Sequence, residues 1–244
     1  MGKRPQVEVT DTLTIPARFN GPPETANGGY TCGLLAGLLG AEVSEVSLRA
    51  PPPLERALGV TRTDERVELR DGAGLVAEAA IADLPRDAPD AVSPDEARAA
   101  SEAGRDEWAA DHPFPTCVVC GPARGRGDGM RVFPGSLGDG RFAAVWVPDE
   151  SIGDAAGRVH PECVWAALDC PTSAPVANFA AGPPVVLARL TARVEDPVLV
   201  GKPYAIVSWP LEVAGRKRHA AAALFDAGGR LIGEARALWI ELRG

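Results

Sequence analysis

The chain has 244 residues, of which 45% are hydrophobic, 24% charged and only 5% aromatic. This is ordinary globular chemistry, with length enough for one large domain or two small ones. A formal net charge of −8 argues against a nucleic-acid groove or an anionic lipid surface as partner, since both select for Lys and Arg on one face. Met1-Gly-Lys-Arg-Pro5 does not read as the start of a leader, the most apolar run (Cys32 to Ala41) is half the length of a membrane span, and five cysteines is an odd number. The expectation is a soluble, reduced, cytoplasmic protein that needs no disulfides.

In chain order, Gly29 to Gly40 reads as a short apolar helix and Val43 to Leu48 as a strand. Val67 to Leu84 reads as a hairpin, because Asp71-Gly72 supplies the positive-φ turn position between two apolar runs. Asp83 to Asp111 is the clearest seam: Pro85, Pro89, Pro94 and dense charge, with a surface helix over Pro94 to Ala110. The order then recurs. Pro161 to Cys170 reads as a helix, Val185 to Val194 and Tyr204 to Val213 as strands, and Ala223 to Leu242 as a hairpin around Asp226 and Gly228-Gly229. Two units of the same plan suggest duplication, with residues 1–84 and 111–244 as the units and 85–110 as linker. A single α+β domain with chance similarity is the plainer alternative.

Two short segments carry chemistry. Pro171 must end the second helix near Cys170, which puts Asp169 at the C-terminal end, where the helix dipole disfavours a carboxylate. Such an acid needs a partner or a task. The plain reading is that it caps the next turn through the backbone of Thr172 or Ser173. In the first half, Asn27-Gly28-Gly29-Tyr30 opens the helix. Adjacent glycines there allow a ligand close to free N–H groups at the positive end of the dipole, a donor set suited to an oxyanion. A simple tight turn would look the same.

On these residues, Pro161 to Leu242 resembles a hotdog-fold domain of the acyl-CoA thioesterase superfamily, nearest the PaaI-like branch. That branch commonly has His-Gly-Gly at the start of its central helix and an acid nine positions later. Here His160 takes the His position, Pro161 and Glu162 replace the glycines, and Asp169 falls nine after His160. Asn27-Gly28-Gly29 is similar to the same motif with Asn for His, but nine after Asn27 stands Ala36. Thr116 to Phe133, with Cys117-x-x-Cys120-Gly121, is similar to the family's lead-in strand.

The resemblance implies an α+β double hotdog, each central helix wrapped by an antiparallel sheet. It also implies a thioester hydrolase without a cofactor, acting on coenzyme A or acyl-carrier thioesters, and pairing of chains into a homodimer. Within that mechanism Asp169 is general base or nucleophile, and Gly29 or Tyr30 donates its amide to the carbonyl. Asn27, Asn20, Gly28, Trp165 and Ser173 hold substrate or water. One site per chain is expected to work, with the mirrored one (His160-Pro161-Glu162 against Ala36) dead. A non-catalytic acyl-ligand binding protein on the same fold is the alternative.

No metal is expected. The alternative ligand set is Cys117, Cys120, His160 and Cys163, chemically adequate for tetrahedral zinc. Cys117 and Cys120 also read as a redox pair, or as a reduced buried pair in a strand. Trp146, Trp165, Trp209 and Trp239 read as packing. The basic turn Arg216-Lys217-Arg218-His219 reads as solvated, with contact to coenzyme phosphates as its functional alternative.

Overall fold

A computed structural model describes residues 11–178 and 180–243; the opening residues read for a leader lie outside them. Among the described residues the strands form one antiparallel sheet. They are β1 (Asp11–Leu13), β2 (Ser44–Leu48), β3 (Leu58–Arg62), β4 (Arg66–Asp71), β5 (Gly74–Ile81), β6 (Gly135–Ser136), β7 (Phe142–Trp146), β8 (Val185–Val194), β9 (Tyr204–Ala214), β10 (Lys217–Phe225) and β11 (Leu231–Glu241). The helices are α1 (Gly28–Leu39), α2 (Pro94–Ala110) and α3 (Pro161–Asp169). No helix among them is long and apolar enough to cross a membrane.

The sheet reads outward from its middle in two matching directions. From β2 the order is β5, β4, β3, β1; from β8 it is β11, β10, β9, β7, β6. Each half therefore runs helix, central strand, then three strands that return to pair with it. The halves join edge to edge where β2 pairs antiparallel with β8, Val46 opposite Leu190. This closes the exposed edge that each half alone would present.

Alternation along the strands divides two cores. Tyr204, Ile206, Ala222 and Leu224 face the larger core with α1 and α3. Ala205, Val207, Ala223 and Phe225 face the opposite side, where Ala97 and Ala100 of α2 cover them. The helix expected on the surface is thus half-sunk. It starts on a capping box between Ser93 and Glu96, and it approaches β6 so closely that a Cβ on Gly135 would stand 1.8 Å from the Ala100 carbonyl oxygen.

The segment Thr116 to Phe133 is not the strand that the sequence suggested. It is a run of tight turns, tied down where Val118 N–H donates to the Asn20 carbonyl and Met130 N–H to that of Val118. Glycines at 121, 125, 127 and 129 give too little side chain to pack on a pleated surface and favour turns instead.

Candidate active site

Helices α1 and α3 lie against each other and run antiparallel. A Cβ on Gly29 would meet Asp169 Cβ at 2.4 Å, and one on Gly33 would meet Glu162 Cα at 2.5 Å. Glycines four residues apart share one helix face, so this stripe lets the two backbones approach. Continued by a turn, the same register sets Ala36 level with the start of α3.

The antiparallel pairing resolves the position of Asp169. The carboxylate sits at the negative end of its own helix but beside the positive end of α1. Its Oδ2 accepts a hydrogen bond from Gly29 N–H at 2.8 Å. The side chain makes no capping bond to the turn that follows, so the plain reading of the sequence does not hold. Asp169 is 1% exposed, and its Oδ1 has no hydrogen-bond partner among the described residues. Burial pushes its pKa up to about 8, the Gly29 amide opposes this, and negative charge at Cys117 adds to it.

Asp169 forms part of the wall of a cavity of about 440 Å³. Leu48, Val185, Leu187, Phe114 and Trp239 make much of the wall apolar, and Asn27, Gly28 and Ser173 also contribute. Asn27 caps α1 by accepting from Tyr30 N–H at 2.9 Å. Ser173 turns its hydroxyl back to the Cys170 carbonyl at 2.8 Å. A chain of hydrogen bonds fixes the turn after Asp169: Trp239 Nε1 donates to Thr172 Oγ1 at 2.7 Å, and that hydroxyl donates to the Asp169 carbonyl at 2.6 Å.

Four of the expected site residues take other places. The amides of Gly29 and Tyr30 are engaged by Asp169 and Asn27. The N–H of Gly28, which as the first residue of the helix has no intrahelical acceptor, belongs to the residue that lines the cavity. Asn20 is outside the lining; its Nδ2 donates to Gly21 O and Thr116 Oγ1, and its Oδ1 accepts from Arg124. Trp165 is buried in the main core, also outside the lining; the tryptophan at the cavity is Trp239. The basic turn at 216–219 belongs to the β9–β10 hairpin and is not among the lining residues.

The cysteines regroup as well. Cys117 and Cys120 meet Cys170, not Cys163 and His160; the three sulfurs lie within 4.8 Å of one another. Cys163 stands seven residues before Cys170, about 10 Å along the helix axis, and His160 is exposed at the N-cap. Hydrogen bonding within the group of three holds the Cys117 thiol well below its ordinary range and raises the other two. Cys170, His112 and Leu187 escape a reading of the sequence, although Cys170 adjoins Asp169 and could have been weighed with it.

No family profile matches the sequence, and no curated protein matches it. Solved structures do match over nearly the whole chain. The tesB protein of Mycobacterium avium subspecies paratuberculosis is 12% identical with a TM-score of 0.61, covering 95% of this chain and 91% of its own. A candidate thioesterase of Novosphingobium aromaticivorans is 14% identical with a TM-score of 0.61, covering 96% and 95%. A protein of Alicyclobacillus acidocaldarius, described as having the hot dog fold, is 11% identical with a TM-score of 0.59, covering 96% and 93%. The architecture of this chain is the double hotdog that the sequence resemblance implied.

Proposed function

We propose that this double hotdog is a thioester hydrolase acting on acyl-CoA or acyl-carrier substrates, with one working site per chain. The observation that carries the reading is Asp169: a buried carboxyl in a cavity wall, one oxygen on the Gly29 amide and the other without a partner among the described residues. A buried acid left half-satisfied at a helix N-terminus costs stability, and catalysis is the role that would offset the cost.

In this mechanism the acyl chain lies along the apolar wall and the thioester carbonyl faces the start of α1. The Gly28 amide replaces Gly29 and Tyr30 as the donor to the developing oxyanion. Asp169 Oδ1 takes the proton of an attacking water, the carbon–sulfur bond breaks, and the thiol leaves with that proton. Attack by the carboxylate itself, through an anhydride that water then opens, uses the same oxygen. In a single turnover in heavy-oxygen water, label in Asp169 identifies the anhydride route, with water opening the anhydride at the Asp169 carbonyl. Pairing of chains into a dimer belongs to the same reading, and light scattering on the purified protein tests it.

The experiment is a panel of acyl-CoAs with a thiol reagent, run on the wild type and on Asp169→Asn. The expected result is turnover that falls about 10²–10⁴-fold in the variant. Equal rates in both proteins would sink the assignment of Asp169. Tight acyl-CoA binding without release of thiol would make the chain a binding protein.

A further inference from the structure

We propose that Cys117, Cys120 and Cys170 bind one zinc ion through their sulfurs, with the fourth coordination position turned to the cavity. The inference does not depend on the hydrolase reading. It begins from distances. Tetrahedral zinc with bonds of about 2.3 Å separates its sulfur ligands by about 3.8 Å. Cys117 Sγ and Cys170 Sγ are 3.9 Å apart, and all three sulfurs fall within 4.8 Å. The chain contains its own contrast. Cys32 and Cys163 are equally buried, but neither belongs to such a group; Cys32 only points at the Val46 carbonyl, 4.0 Å away.

The turn that carries two of the sulfurs is shaped for the task. Gly121 N–H closes it on the Cys117 carbonyl at 2.9 Å. A Cβ on Gly121 would stand 2.5 Å from both the nitrogen and the oxygen of Cys117, so the residue after Cys120 has to be glycine. Trp108 Nε1 donates to the Cys120 carbonyl at 3.1 Å and fixes the far end.

Every sulfur also meets a side-chain N–H. Asn27 Nδ2 lies 3.8 Å from Cys117 Sγ and 3.6 Å from Cys170 Sγ. His112 Nε2 lies 3.3 Å from Cys120 Sγ, while its Nδ1 accepts from Phe114 N–H at 3.1 Å. With Nδ1 accepting, the neutral ring carries its hydrogen on Nε2, so His112 donates to sulfur and is not the fourth ligand. Buried thiols that only fill space need no such donors. Metal-bound thiolates are regularly held by them.

Coordination replaces each remaining S–H proton by a zinc–sulfur bond, and the protons go to solvent. The vacant fourth position suits water or a substrate atom, because all three cysteines line the cavity.

The test uses the full chain, purified under reducing conditions after growth with zinc. Elemental analysis is expected to find one zinc per chain. Cobalt(II) added to the stripped protein is expected to give sulfur-to-metal charge-transfer bands and tetrahedral d–d absorption. Cys170→Ser weakens zinc binding by at least about 10–100-fold, whereas Cys163→Ser and Asp169→Asn keep it. Asp169→Asn thus separates this site from the hydrolase reading, since it is expected to lose turnover and retain metal. If Cys170→Ser fails to fold, the wild-type cobalt spectrum decides. Reduced wild type with neither zinc nor a charge-transfer band, or equal zinc loss in folded Cys163→Ser, overturns the proposal.

Discussion

The two helix tips are built on one plan and do different things. At the start of α1, Asn27 caps the helix, two glycines follow, and an acid from α3 receives the Gly29 amide. At the start of α3, His160 makes no side-chain cap, Pro161 and Glu162 stand in place of glycines, and the opposing helix offers Ala36. A symmetric frame therefore does not make a symmetric pair of helix tips. The same divergence shows in the hairpins, where Leu75-Val-Ala-Glu78 and Leu231-Ile-Gly-Glu234 occupy matching strands. Glu78 pairs with Arg49 and Arg66 at a surface. Glu234 pairs with Arg193 where both side chains are about 5% exposed or less.

Four measurements break or sharpen this comparison. The largest effect is expected at the tips: Asp169→Asn removes most turnover, while His160→Ala at the mirrored tip leaves the rate within about twofold, as for a surface change. A similar loss from both would mean that both sites work. Next come the matching acids. Glu234→Ala removes the buried partner of Arg193, which keeps only the more exposed Glu195 and the Leu84 carbonyl, at a cost of about 1–3 kcal/mol. Glu78→Ala costs at most about 1 kcal/mol, because water screens its partners. Urea unfolding of the two variants reads the difference.

The glycine stripe comes third. Gly33→Ala drives a methyl into the backbone of α3 and is expected to cost about 1–3 kcal/mol. Gly37→Ala, one turn further along α1, meets nothing within 4 Å and is expected to gain about 0.5–1 kcal/mol from helix propensity. Thermal melts of the pair test whether close approach, not flexibility, is what requires glycine at position 33. The smallest effect is that of the cap: Asn27→Ala loses the bond to Tyr30 N–H, worth about 1 kcal/mol, together with the weak contacts of Nδ2 to the Cys117 and Cys170 sulfurs, and calorimetry checks it.

How much of this was legible beforehand depended on the range of the interaction. The α1 and α3 runs, the strand Val185–Val194 and the two hairpins follow from periodicity and turn residues a few positions apart. Asp169 stood out because Pro171 fixes the helix end, which is also local. The lead-in strand failed because its apolar residues sit among glycines that favour turns.

What the residues by themselves determined is the set of elements, their repetition, and an acid placed at odds with its own helix. Tertiary structure alone decided what that acid would meet. The antiparallel packing of α1 on α3 delivers the Gly29 amide across 140 positions of chain. It also brought Cys170 to Cys117 and Cys120, and set Trp239 instead of Trp165 in the cavity wall. Each of these is a contact between segments far apart in sequence. Spacing along a chain has a period only within one element, so it carries no information about which faces two elements will present to each other.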